Sequence, residues 1–139
     1  VYGSLREGFF NYNKYLTNKV VQKKDAKLKN MKLYHLPHKG YPAITSGEDV
    51  VIGEIMVIGE DYYEDTMRAM DEMEGFISEK NPDNEYHRVI LEVEDLHTNK
   101  KEKCFVYFYN KDKDTLFDSK AIYIPHGDWK EHMVSGSSY

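Results

Sequence analysis

The segment Asp61 to Glu74 carries the pattern of one α-helical face, and strand patterns flank it on both sides. Its inward candidates fall at Tyr63, Thr66, Met67, Met70 and Met73, a spacing that buries one stripe of a helix. At 100° per residue, Tyr63, Met67, Met70 and Glu74 lie within about 40° of one line, so Glu74 stands where the pattern asks for another apolar side chain. Glu72 projects about 180° away, toward water. An inward carboxylate needs a partner, hydrogen bonds or a proton, because burying an unpaired charge is costly. On this stretch alone the plainer reading is a helix end that reaches water. Gly75 fits that reading, since glycine commonly ends a helix in a left-handed conformation.

Around the helix the chain reads as strands. Val1 to Arg6 suggests a strand end running into a turn at Gly3-Ser4, with the natural chain extending before Val1, and Asn11 to Thr17 a short helix. Val20-Val21 and Lys27 to Leu36 look extended, Gly40 to Ile44 interrupts, and Val50 to Gly59 is apolar enough for a central strand covered on both faces. Ile77 to Glu85 is a polar loop around Asn81-Pro82-Asp83-Asn84. Tyr86 to Val93 and Lys103 to Tyr109 alternate as a hairpin joined by Asp95 to Lys101. Lys111 to Asp118 reads as a loop, Ala121 to Ile124 as a last strand, Asp128 to Met133 as a helix, and residues 135–139 as a flexible tail. Strands mixed with only two or three helices give an α+β fold, with a mixed sheet that can curl into a barrel.

Composition narrows the function classes. A chain of 139 residues suits one domain, here 1–139, burying roughly 70% of its unfolded surface. Twelve Tyr, six Phe and one Trp supply rings for a core or a pocket wall. A net charge of −5 with scattered basic residues argues against a nucleic-acid partner. No apolar run approaches the roughly 20 residues of a membrane span, and no secretory signal precedes Val1. Cys104, the single cysteine, lies in an apolar run and reads as a buried free thiol in a reducing compartment, so a cytoplasmic location is expected.

Several constellations are candidates for chemistry. Tyr2-Gly3-Ser4-Leu5-Arg6, with Gly8 and Asn11, sits at a strand end before a helix, where backbone N–H groups can converge as a nest for negative charge. A plain tight turn explains the same residues. The P-loop spacing is missing, as is the Gly-x-Ser-x-Gly elbow of a serine hydrolase. His35 with His38, and His126 with His132, have no common zinc spacing, so no metal is expected. Tyr86 and Arg88 share one strand face, and Tyr107 and Tyr109 share another, offering polar tips to a cavity or filling the core.

Taken together, Val1 to Arg6, Gly40-Tyr41-Pro42-Ala43, Met70 to Gly75, Tyr86-His87-Arg88 and Gly127-Asp128-Trp129 resemble the γ-glutamylcyclotransferase-like family, also described as AIG2-like. The resemblance spans nearly the whole chain and implies a small mixed β-barrel flanked by helices. It implies an enzyme that cyclises γ-glutamyl amines to 5-oxoproline and releases the amine, without a cofactor. Carried onto this sequence, it makes Glu74 the general acid/base and Tyr2, Gly3, Ser4 and Leu5 the substrate-holding loop. Tyr107 matches a cavity-lining strand tyrosine, and Arg6, Tyr86 and Arg88 are further candidates for the pocket lining. The expected partner is a small γ-glutamyl substrate, the expected state a monomer or homodimer. The departures are the truncated start and the insertion Ile77 to Glu85, which bears on the leaving amine. Two other readings stay open: a small-molecule-binding barrel without catalysis, and a partner-interaction module of the same fold.

Overall fold

Alternation begins at Val20 and runs further than the sequence pattern suggests. In the computed structural model, which describes residues 1–136, Val20–Leu36 is one strand (β1) and Tyr41–Ile58 a second (β2). They pair antiparallel from Leu36↔Tyr41 to Val20↔Ile58. The expected breaks after Val21 and at Gly40 to Ile44 are therefore corrected to a single turn over 37–40, which Gly40 supports with φ +82°. The pattern misleads because the ladder is irregular around Met31, which pairs with both Ser46 and Asp49, beside Asn30 at φ +63°. Ala26 and Leu28 before the irregularity and Leu33 after it enter the same core cluster. Their parity changes across it, as a bulge requires.

β3 (Tyr86–Asp95) and β4 (Lys101–Tyr109) form the expected hairpin, in register from Tyr86↔Tyr109 to Glu94↔Lys101. β3 joins β1 at Ala26↔Asp95 and Lys27↔Glu94, and β5 (Ile122–Ile124) joins β1 at Leu33↔Ile124. The sheet order is β2-β1-β3-β4, and each of these pairings is antiparallel. β1 and β3 are thus the interior strands. Val50 to Gly59, expected at the centre, belongs to β2 at one end of the order. Its outer edge is covered by chain segments: Glu54 N–H donates to the Val1 carbonyl at 2.8 Å and Ile52 N–H to Gly127 at 2.7 Å. These close approaches need glycine, since a Cβ on Gly53 would meet the Val1 oxygen at 2.2 Å and one on Gly127 the Val50 oxygen at 1.9 Å.

The sheet stays open. β2 and β4, the ends of the order, share no ladder, which corrects the expected β-barrel to an open sheet flanked by helices in an α+β fold. The space where a barrel would close is a cavity walled by β2, β4 and the helix α2, Tyr63–Met73. α1 is Phe10–Tyr15, α3 is Phe117–Lys120, and α4 is Trp129–Gly136, so Ser135 and Gly136 of the expected tail belong to a helix while 137–139 lie outside the described residues. Cys104 is a free thiol in β4, half-buried where a buried one was expected. Among the described residues, no helix is long and apolar enough to cross a membrane.

Candidate functional site

α2 ends where its sequence says it must. Phe76 N–H bonds the Asp71 carbonyl at 2.8 Å and Gly75 N–H the Glu72 carbonyl at 3.2 Å, with Gly75 at φ +68°. This is a Schellman C-cap, and Glu74 is the capping residue. The strand that follows the insertion returns to the same point: Glu85 N–H donates to Gly75 at 3.0 Å and Tyr86 N–H to Glu74 at 3.2 Å. Residues 76–84 therefore form a loop closed at its base. Fully buried Asn84 organises it, accepting from Ile77 N–H at 2.6 Å and donating to the Ser78 carbonyl at 2.8 Å.

Glu74 faces a cavity of about 450 Å³, whose wall also includes Tyr2, Gly3, Ser4 and Leu5. Met67, Met70 and Met73 of α2 line it too, while Glu72 is exposed. Glu74 itself is half-buried and lines this cavity. Burial pushes its carboxyl from an ordinary 4.5 up to about 8, reinforced by the charge of Asp71. A helix C-terminus adds no positive pole to resist that rise. Near neutral pH the group can both hold and release a proton.

The loop before α1 is folded back on itself by Arg6 N–H to Gly3 at 2.9 Å and Tyr12 N–H to the Ser4 carbonyl at 3.1 Å. Ser4 Oγ accepts from Asn11 Nδ2 at 2.7 Å. Among the described residues, the N–H groups of Gly3, Ser4 and Leu5 donate to no protein acceptor. Gly3 is not one of the left-handed glycines. What requires glycine there is Pro42, whose Cγ would lie 2.6 Å from an added Cβ.

Tyr86 and Tyr107 line the cavity; Arg6 and Arg88 lie outside its wall. Arg6 is buried in an ionic cluster, with Nη1 2.8 Å from Asp128 and Nε 3.6 Å from Glu54. Arg88 Nη1 sits 2.5 Å from Asp71 Oδ2. Asp71 also accepts from the Tyr107 hydroxyl at 2.6 Å. Sequence reasoning passed over Asp71 and Glu54 as site residues, and named Asn11 beside the loop without giving it a role. The signal for Asp71 was its place three residues before Glu74, one helical turn away. Glu54 gave no signal, since it sits in an apolar strand and meets the cavity only through the fold.

With this geometry in hand, known proteins supply the lineage. A sequence model of the family described as Gamma-glutamyl cyclotransferase, AIG2-like matches residues 1–131. A Methanocaldococcus jannaschii protein, provisionally named a gamma-glutamylcyclotransferase, is 29% identical over 134 residues, covering 95% of this chain and 94% of its own. The crystal structure of a mouse AIG2-like protein superposes with a TM-score of 0.68 at 22% identity, over 93% of this chain and 84% of that one. An uncharacterised Pyrococcus horikoshii protein shares the fold at a TM-score of 0.61 and 20% identity, over 100% and 94% of the two chains. The chain belongs to the Gamma-glutamyl cyclotransferase, AIG2-like family.

Proposed function

We propose that the protein cyclises a γ-glutamyl amine to 5-oxoproline and frees the amine, with Glu74 as the general acid/base. The observation that carries this reading is a carboxyl pushed up to about 8 in the wall of a cavity that the loop Tyr2 to Leu5 also lines. Family membership and the provisional name of the Methanocaldococcus jannaschii relative support it.

The substrate carries its own nucleophile. Its α-amino nitrogen attacks the γ-carbonyl carbon, closing a five-membered lactam as the bond to the leaving nitrogen breaks. Glu74 takes a proton from the attacking nitrogen and returns one to the leaving nitrogen, so atoms and charges balance without added water or cofactor. Positioning alone is worth effective molarities of about 10⁵ M or more in well-oriented intramolecular reactions. Proton transfer by a side chain is most efficient when its pKa lies near the working pH. The unpaired N–H groups of Gly3, Ser4 and Leu5 are suited to the developing oxyanion or the substrate's carboxylate.

A panel of γ-glutamyl amino acids, γ-glutamyl-lysine isopeptides and γ-glutamyl alkylamines, assayed for 5-oxoproline by mass spectrometry, tests the reading. It predicts stoichiometric release of 5-oxoproline and free amine from at least one class. Hydrolysis to glutamate, or no turnover across the panel, contradicts it.

A further inference from the structure

The outer edge of β2 brings the N-terminal loop and the start of α4 together. Glu54 N–H donates to the Val1 carbonyl and Ile52 N–H to that of Gly127, so the two segments lie end to end along one strand. Arg6 and Asp128, 122 residues apart in the chain, meet there, with Arg6 Nη1 donating to Asp128 Oδ1 at 2.8 Å. On its other side Arg6 Nε lies 3.6 Å from Glu54 Oε2, too far for a hydrogen bond, and is left without a partner among the described residues. The buried guanidinium is thus drawn toward Asp128 at the expense of a bond to Glu54.

Each member of this cluster is also fixed by the backbone. Asp128 precedes Trp129, the first residue of α4, and its Oδ1 accepts from Glu131 N–H at 3.2 Å, the contact of a helix N-cap. Glu54 Oε1 accepts from Glu7 N–H at 2.9 Å. Arg6 closes the loop itself, its N–H donating to Gly3 at 2.9 Å and its carbonyl accepting from Phe9 N–H at 3.2 Å. Its side chain therefore ties the turn that carries the Gly3, Ser4 and Leu5 N–H groups to the first turn of a helix outside the cavity. Phe9 against Trp129 at 5.2 Å, and Lys130 Nζ 3.4 Å from the Glu7 carbonyl, join the same two segments. Neither Arg6 nor Asp128 lines the cavity, so any effect on a bound molecule passes through the loop backbone.

We infer that Arg6 and Asp128 are positioning residues: Asp128, fixed as the cap of α4, holds the Arg6 guanidinium and with it the direction of the Gly3 to Leu5 N–H groups. The inference rests on the cyclisation reading for the reaction it affects. Donors of this kind act only when already aimed at the place where charge develops, and a displacement of about 1 Å can cost roughly a hundredfold in rate. Without the Asp128 carboxylate, Arg6 is free to turn onto Glu54, and the turn it closes shifts with it.

The test separates this contact from the helix cap. Ser and Asn both cap helices well, but only Asn keeps a carbonyl oxygen within reach of Arg6. 5-Oxoproline release is measured across the γ-glutamyl panel for the wild type, Asp128→Ser and Asp128→Asn, well below the Tm of each. Exchange of the Arg6 and Tyr12 amides, whose hydrogen bonds close the loop, is followed by NMR beside the amides of the β1–β2 ladder. Asp128→Ser is expected to lose at least about tenfold in kcat/KM and to exchange faster at Arg6 and Tyr12 with the ladder unchanged, while Asp128→Asn stays within a few-fold of the wild type. Arg6→Lys, which keeps the charge but not the fork that spans both carboxylates, should show the same loss if Asp128→Ser fails to fold. An Asp128→Ser enzyme with wild-type kcat/KM, whatever its Tm, would overturn the inference and leave cyclisation standing. Equal impairment of the Ser and Asn variants would overturn it as well. If the wild type releases no 5-oxoproline, cyclisation falls and the amides decide: faster exchange at Arg6 and Tyr12 in Asp128→Ser alone supports the positioning role, and unchanged exchange overturns it.

Discussion

Glu74→Gln keeps the shape of the side chain and removes its ability to exchange protons. Turnover is expected to fall by about 10² to 10⁴ while ligand binding, read by calorimetry, stays within a few-fold. The same substitution has a predicted effect on stability. A carboxyl with an ordinary value of 4.5 in the unfolded chain and about 8 in the fold binds its proton more tightly when folded. The stability linked to that proton is fully present below about 4.5 and is lost as pH rises toward 8. Glu74→Gln should therefore be more stable than the wild type at pH 8.5, by about 1 to 3 kcal/mol after allowing for the surface that the cavity leaves accessible. The difference should vanish near pH 4.5, and denaturant titrations at the two pH values check the sign. In the loop, Gly3→Val is expected to be severe because its Cβ would press on the Pro42 ring, while Ser4→Ala loses the bond from Asn11 and costs only about 0.5 to 1.5 kcal/mol. Ligand titration of the two folded variants gives the order. The inward direction of Glu74 could be read from a helix wheel, whereas its role was only what the resemblance implied. Asp71 was not legible, since its partners Arg88 and Tyr107 come from strands 17 and 36 residues away.

Among the elements, α2 and the β3–β4 hairpin could be read directly, because each keeps one unbroken period and ends at a glycine or a turn. β1 and β2 could not, because the irregularity at Met31 shifts the buried parity and makes one strand look like two. The barrel was expected from the mix of strands and helices and from the resemblance, but local periodicity holds no information on whether the two ends of a sheet meet. The insertion was legible as a polar loop but not as a fixed one. Its order comes from Asn84, whose amide holds Ile77, Ser78 and His87. Asn84→Ala should leave the Ile77 N–H and the Ser78 carbonyl without this partner and destabilise the fold by roughly 1 to 3 kcal/mol. Chemical denaturation would measure that, and faster amide exchange at Ile77 would locate it.

At the scale of the molecule, the open sheet leaves between β2 and β4 the space in which the candidate chemistry is set. The N-terminal loop reaches that space because Val1 pairs with Glu54 on the outer edge of β2, and Glu74 reaches it because α2 spans the gap. The two halves of the site lie about seventy residues apart in the chain, so only the assembled fold joins them. The central claim is that Glu74 moves the protons of an intramolecular cyclisation. It is tested most directly by the pH dependence of kcat/KM for 5-oxoproline release, measured side by side for the wild type and Glu74→Gln. A base must be ionised to act, so wild-type activity should rise with pH and level off through about 8, and the Gln variant should lose that limb along with at least a hundredfold of its rate. A Gln variant that turns over within a few-fold of the wild type, with the same pH limb, would contradict the account.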